Sequence, residues 1–272
     1  MDHYKLIDKI YEEKIEVINA FSVQSKYSDT IKLLDNFIKK LSDLSNSLCL
    51  IHEHNYFYTS QSISRIIFEH FLVVSYIWNR TRIEETNVCT SEYNLGYLIY
   101  EVFKQTNYNS KLKRTYEKTK TPLQNILENN MFSVLNNPED PMTEANKVEV
   151  DRIGNQFDVR NILKYFEALP HNEPYSVFKE IVLDACTRYN VLSSYVHGGR
   201  LAELEAIENF TVTDKLKIMT EALGFSEMFK CLVKDYKMIL LYLEFDSFFE
   251  VYKPILQDRE LEIKNKLGTI LK

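Results

Sequence analysis

The sequence predicts an all-α fold: a single helical bundle with long central helices and a peripheral helical or loop insertion. Three observations carry this. Every strong apolar pattern in the chain repeats at helical spacing rather than alternating as a strand would. Six Gly and six Pro in 272 residues are few for a fold that turns as often as a sandwich or a parallel sheet. One stretch, Ile63 to Trp78, is apolar on most of its circumference, as expected of a helix at the centre of a bundle.

Taken in order, Leu6, Ile7, Ile10, Tyr11, Ile15, Val17 and Ile18 form the apolar stripe of an amphipathic helix over residues 3–22. A second, longer helix is expected from Tyr27 to about His54, on Ile31, Leu34, Phe37, Ile38, Leu41, Leu44, Leu48 and Ile51. The NYFYTSQ stretch interrupts it, and Thr59 or Ser60 is the expected cap of the central helix, which runs to about Arg82. Residues 84–130 predict two or three shorter helices with one basic, solvated face at SKLKRTYEKTK. Five of the six prolines lie between Pro122 and Pro174, so residues 107–173 are expected to be the peripheral or inserted region of one domain spanning 1–272. Helical periodicity returns at Tyr175–Val196, closed by His197-Gly198-Gly199, and a further pair of helices is expected at 213–243 and 246–270. Over two-thirds of the chain should be helical, with Ile67, Phe68, Phe71 and Leu72 buried.

A formal net charge of -6 argues against a whole-surface footprint for duplex DNA or anionic lipid. Cys49, Cys89, Cys186 and Cys231 lie far apart with no zinc-type spacing, and read as reduced thiols in a cytoplasmic protein. The charged N-terminal stretch lacks the apolar core of a signal peptide, and no apolar run reaches the roughly 20 residues of a membrane span. No membrane partner, metal or cofactor is expected. Cys49, His52 and His54 do not share one face, so they make a poor ligand set.

Two constellations carry candidate chemistry. On the central helix Arg65 and Glu69 stand four apart, about 40° offset, and project together from an otherwise apolar surface. They read as a structural ion pair or as the polar part of a pocket. His70, five after Arg65, faces roughly 140° away. On the later helix Tyr189, Ser193 and His197 align at spacings of four, with His197 in the last turn, where the macrodipole favours a protonated ring. Charges on a central helix need partners, and this edge offers three polar ones. Arg65 or Glu69 is therefore expected within hydrogen-bonding reach of Tyr189, Ser193 or His197.

The R-x-x-x-E helix (Arg65, Glu69) followed by a Y-x-x-x-S-x-x-x-H-G helix end (Tyr189, Ser193, His197, Gly198) resembles bacterial helical families of unknown function. Arg65 and His70 also fit the R-x4-6-H motif of the HEPN superfamily, and the resemblance covers residues 59–199. Active HEPN proteins are metal-independent endoribonucleases of toxin and phage-defence systems. The resemblance implies an RNA substrate and a composite site often completed by a homodimer. Arg65 would then be the phosphate-binding cation and His70 or His197 the acid/base, with Glu69, Tyr189 and Ser193 in support. The competing expectation is a non-catalytic interaction or scaffold subunit, in which the same residues form a buried polar network that fixes helix register.

Overall fold

The computed structural model describes residues 2–97, 100, 101, 104, 144–170, 175–197, 199 and 210–270. About 90% of the structure is helical, and no strand occurs among the described residues. The helices are α1 (Asp2–Glu13), α2 (Ile15–Gln24), α3 (Ser28–Glu53), α4 (Phe57–Glu84), α5 (Val88–Ser91), α6 (Glu144–Gln156), α7 (Val159–Ala168), α8 (Tyr175–Val196), α9 (Val212–Glu244) and α10 (Phe249–Ile270). A π-helical turn, Glu92–Tyr97, follows α5, and a 3-10 turn, Asp246–Phe248, precedes α10. The basic SKLKRTYEKTK face and the NNPEDP loop lie outside the described residues.

Contacts group the chain into two units, residues 1–87 with 165–272, and residues 88–164. In the first, four long helices surround the core. The Thr30–Thr81 and Phe37–His70 contacts run α3 antiparallel to α4, while the stacked pairs Phe71–Phe229 and Trp78–Tyr236 run α4 parallel to α9. Arg65 meets Tyr189 and Tyr58 meets Tyr195, so α8 lies antiparallel to α4. Ile67, Phe68, Phe71 and Leu72 are buried, as their place on the central helix predicts.

Two helix starts differ from the sequence expectation. The stripe over 3–22 is broken at Lys14, whose backbone sits at φ -113°, ψ 16°. The hydrogen bonds from Lys14 N to Ile10 O and from Ile18 N to Lys14 O persist across the break, so side-chain spacing gives no sign of it. Neither Thr59 nor Ser60 caps α4. The helix begins at Phe57 after the left-handed Asn55, and the Ser60 hydroxyl donates to the Phe57 carbonyl inside the first turn. Phe57, packed edge-on against Tyr195 and Phe210, draws the start of the helix forward. By contrast α9 starts at a full capping box: Thr211 Oγ1 accepts from Asp214 N, and Asp214 accepts from Thr211 N.

In the second unit, Glu92 receives hydrogen bonds from Arg152 and Gln156, and Phe157 packs edge-on against Tyr93 and Tyr97. A Cβ on Gly154 would lie 2.1 Å from the Tyr100 ring, so that close approach requires glycine.

Candidate functional site

The α4/α8 seam is built from the residues singled out in the sequence. Arg65 Nη1 pairs with Glu69 Oε2 at 3.1 Å along one face of α4, and Arg65 Nη2 donates to Tyr189 Oη on α8 at 2.7 Å. The guanidinium carbon stands 4.7 Å from the Tyr189 ring centroid, a cation–π contact in addition to the hydrogen bond. The expected contact between the two constellations is therefore present, through Tyr189. The Arg65 side chain is 15% exposed and that of Glu69 39%, so the pair lies at the edge of the bundle with its carboxylate open to solvent. Arg65 Nε is buried with no hydrogen-bond partner among the described residues.

Ser193 and His197 continue the Tyr189 edge, but no hydrogen bond joins either to Arg65 or Glu69 among the described residues. His197 is eight residues beyond Tyr189, which is about 12 Å along a helix. It is exposed just past the end of α8, where Gly199 N donates to Ser194 O. His70 points elsewhere. Its ring packs edge-on against Phe37 of α3, and burial together with nearby Lys40 pushes its pKa down to about 4. At neutral pH it is an uncharged imidazole.

No family model, curated protein or solved structure matches this chain. Among the described residues no His, Cys, Asp and Glu group could hold a metal ion. His52 bonds Thr220, and His54 stacks on Tyr56. Burial pushes the Cys186 thiol up to about 12 and the Cys231 thiol up to about 11, so both remain protonated thiols. Among the described residues no helix is long and apolar enough to cross a membrane.

A second charged group, not foreseen from the sequence, lies on a single turn of α9. Lys234, Asp235 and Lys237 are all buried. Lys237 Nζ, fully enclosed, donates to both Asp35 oxygens at 2.9 and 3.0 Å, with Tyr11 Oη and Asn19 Oδ1 each at 3.3 Å. Lys234 pairs with Asp8 of α1, while Asp235 takes Arg259 and the Tyr252 hydroxyl from α10. One turn thus anchors α1, α3 and α10, each through opposite charge. Desolvation and the Asp35 carboxylate raise the Tyr11 pKa well above the usual phenol range, so Tyr11 remains a neutral donor to Asp35.

Proposed function

We propose that this chain is a non-catalytic helical interaction subunit and that the Arg65, Glu69 and Tyr189 group is a brace fixing the register of α4 against α8. The observation that carries this reading is the commitment of Arg65. Each of its two terminal nitrogens bonds a protein group, Nη1 to Glu69 and Nη2 to Tyr189, and its flat face is turned to the Tyr189 ring. A phosphate bound there would meet the Glu69 carboxylate, already 3.1 Å from the same guanidinium. The candidate acid/base groups support the same reading: His70 faces Phe37 as a neutral ring, and His197 lies about two helical turns from Tyr189. The surface for a partner, a second copy or another protein, is the end of the bundle where Tyr58 meets Tyr195 and Phe57 meets Phe210. There Tyr56, Tyr58, Val196 and Val212 are exposed.

A HEPN-like endoribonuclease is the second reading, and one observation favours it. Glu69 is 39% exposed, and Tyr189, Ser193 and His197 continue along the same edge, so the seam is reachable by a substrate. Arg65→Ala and His197→Ala, each assayed for unfolding and for RNA cleavage, separate the two. The brace requires Arg65→Ala to lower stability by about 1–2 kcal/mol, with His197→Ala silent in both assays. Cleavage of RNA by the unmodified protein, abolished in both variants at unchanged stability, would establish the nuclease instead.

A further inference from the structure

Next to the seam, α4, α8 and α9 enclose a half-open pocket of about 270 Å³. Its lining divides by burial. Gln61, Ser64, Phe68, Leu192 and Ala222 are buried and form the floor. At the rim Thr187, Val191 and Glu221 are exposed, and the Arg188 side chain is 42% exposed. A dry cavity of roughly 150 Å³ already admits a benzene-sized molecule, so this one has room for a ring and a short chain.

The polar part of the floor is neutral and offers both donor and acceptor. Ser60 Oγ donates to Phe57 O at 2.6 Å and therefore accepts from Gln61 Nε2 at 3.2 Å, which fixes how the Gln61 amide is turned. The Gln61 carbonyl oxygen and its second Nε2 N–H are left without a partner among the described residues, on a residue only 4% exposed. A buried amide used at one atom of three is costly unless something in the pocket meets the others. Ser64, three residues on and so beside Gln61 on α4, donates its own proton to Ser60 O and keeps only lone pairs for a ligand.

The rim does not choose a charge. Arg188 and Glu221 are of opposite sign and both reach water, where their fields are screened. A charged head lowered to the floor would meet no counter-charge there, since Gln61 and Ser64 are neutral. The floor therefore suits an uncharged head that presents an acceptor to the Gln61 N–H, a donor to the Gln61 oxygen and a second donor to Ser64. A primary carboxamide carries that set, one carbonyl and two N–H groups.

We propose that this pocket binds a small aryl or alkyl primary carboxamide, its hydrocarbon part against Phe68, Leu192 and Ala222 and its amide paired with that of Gln61. The proposal does not rest on the register brace. The test is calorimetric titration of the full chain with three probes of one shape: phenylacetamide, methyl phenylacetate, which accepts but cannot donate, and anionic phenylacetate. The amide should bind about ten-fold or more tighter than the other two, because the ester leaves the Gln61 oxygen unmet and the anion loses water without gaining a counter-charge. Gln61→Met keeps the side-chain length and removes both amide functions, and should bring the amide down to the level of the ester. Ser64→Ala removes one hydroxyl, and should weaken the amide several-fold while leaving the ester unchanged. Arg188→Gln and Glu221→Gln should each leave the order of the three probes as it was. No binding of the amide, equal binding of amide and ester, or tightest binding of phenylacetate would overturn the proposal. So would an amide preference that survives both Gln61→Met and Ser64→Ala, or one that disappears on changing Arg188 or Glu221.

Discussion

The α4/α8 seam and the charged turn of α9 are made from the same ingredients, a cation, a carboxylate and a tyrosine, and differ in how deeply the cation is buried. At the seam the carboxylate partner of Arg65 is 39% exposed and the cation 15%. On α9 Lys237 is fully enclosed and holds both oxygens of Asp35, whose own side chain is 34% exposed. An enclosed ammonium cannot exchange its partner for water, whereas a half-open guanidinium can. Burial, rather than the residue types, decides which group the fold depends on, and it ranks the α9 turn first.

The largest expected effect follows from that ranking. Asp35→Ala leaves Lys237 enclosed without its carboxylate and should lower unfolding stability by about 3–5 kcal/mol in urea titration, more than the loss expected from Arg65→Ala. The paired change Asp35→Leu with Lys237→Met should recover most of that loss, because an apolar pair needs no desolvation of charge. If Asp35→Ala costs less than Arg65→Ala, the ranking by burial is wrong.

A pH effect comes next and belongs to neither group. The folded pKa of His70, about 4, lies below its ordinary value near 6.5, so between these values the unfolded chain binds a proton that the folded one refuses. The stability gained from a neutral His70 is complete above pH 6.5, declines as pH falls and is gone below about 4. Thermal unfolding of His70→Gln should show a shallower loss across that window than the unmodified chain. Identical slopes would mean that His70 titrates normally in the fold. The smallest effect is a control away from both groups: Gly224 is an exposed interior position of α9 where a Cβ meets nothing within 4 Å. Gly224→Ala should raise stability by about 0.5–1 kcal/mol, read from the same titration.

Helix periodicity made most of this molecule legible. The central helix, the return at Tyr175 and the long C-terminal pair are all found within a few residues of their expected bounds. What periodicity misses is backbone geometry that leaves side-chain spacing unchanged, as at Lys14, and a start set by a distant aromatic contact, as at Phe57. The Arg65–Glu69–Tyr189 group was readable because two of its members are four residues apart and the third lies on an edge of aligned polar side chains. Lys234, Asp235 and Lys237 were not. Each looks like a solvated position on a helix, and the partners that bury them, Asp8, Asp35 and Arg259, come from three other helices.

The register brace is tested most directly by a double-mutant cycle of Arg65→Met and Tyr189→Phe, measured by equilibrium unfolding. Tyr189→Phe removes the hydroxyl while keeping the ring, and Arg65→Met removes the charge while keeping much of the apolar stem. A coupling of about 1 kcal/mol between the two, with no RNA cleavage by any member of the cycle, is the expected result. Coupling near zero, with RNA cleavage by the unmodified chain that disappears on Arg65→Met, would contradict it.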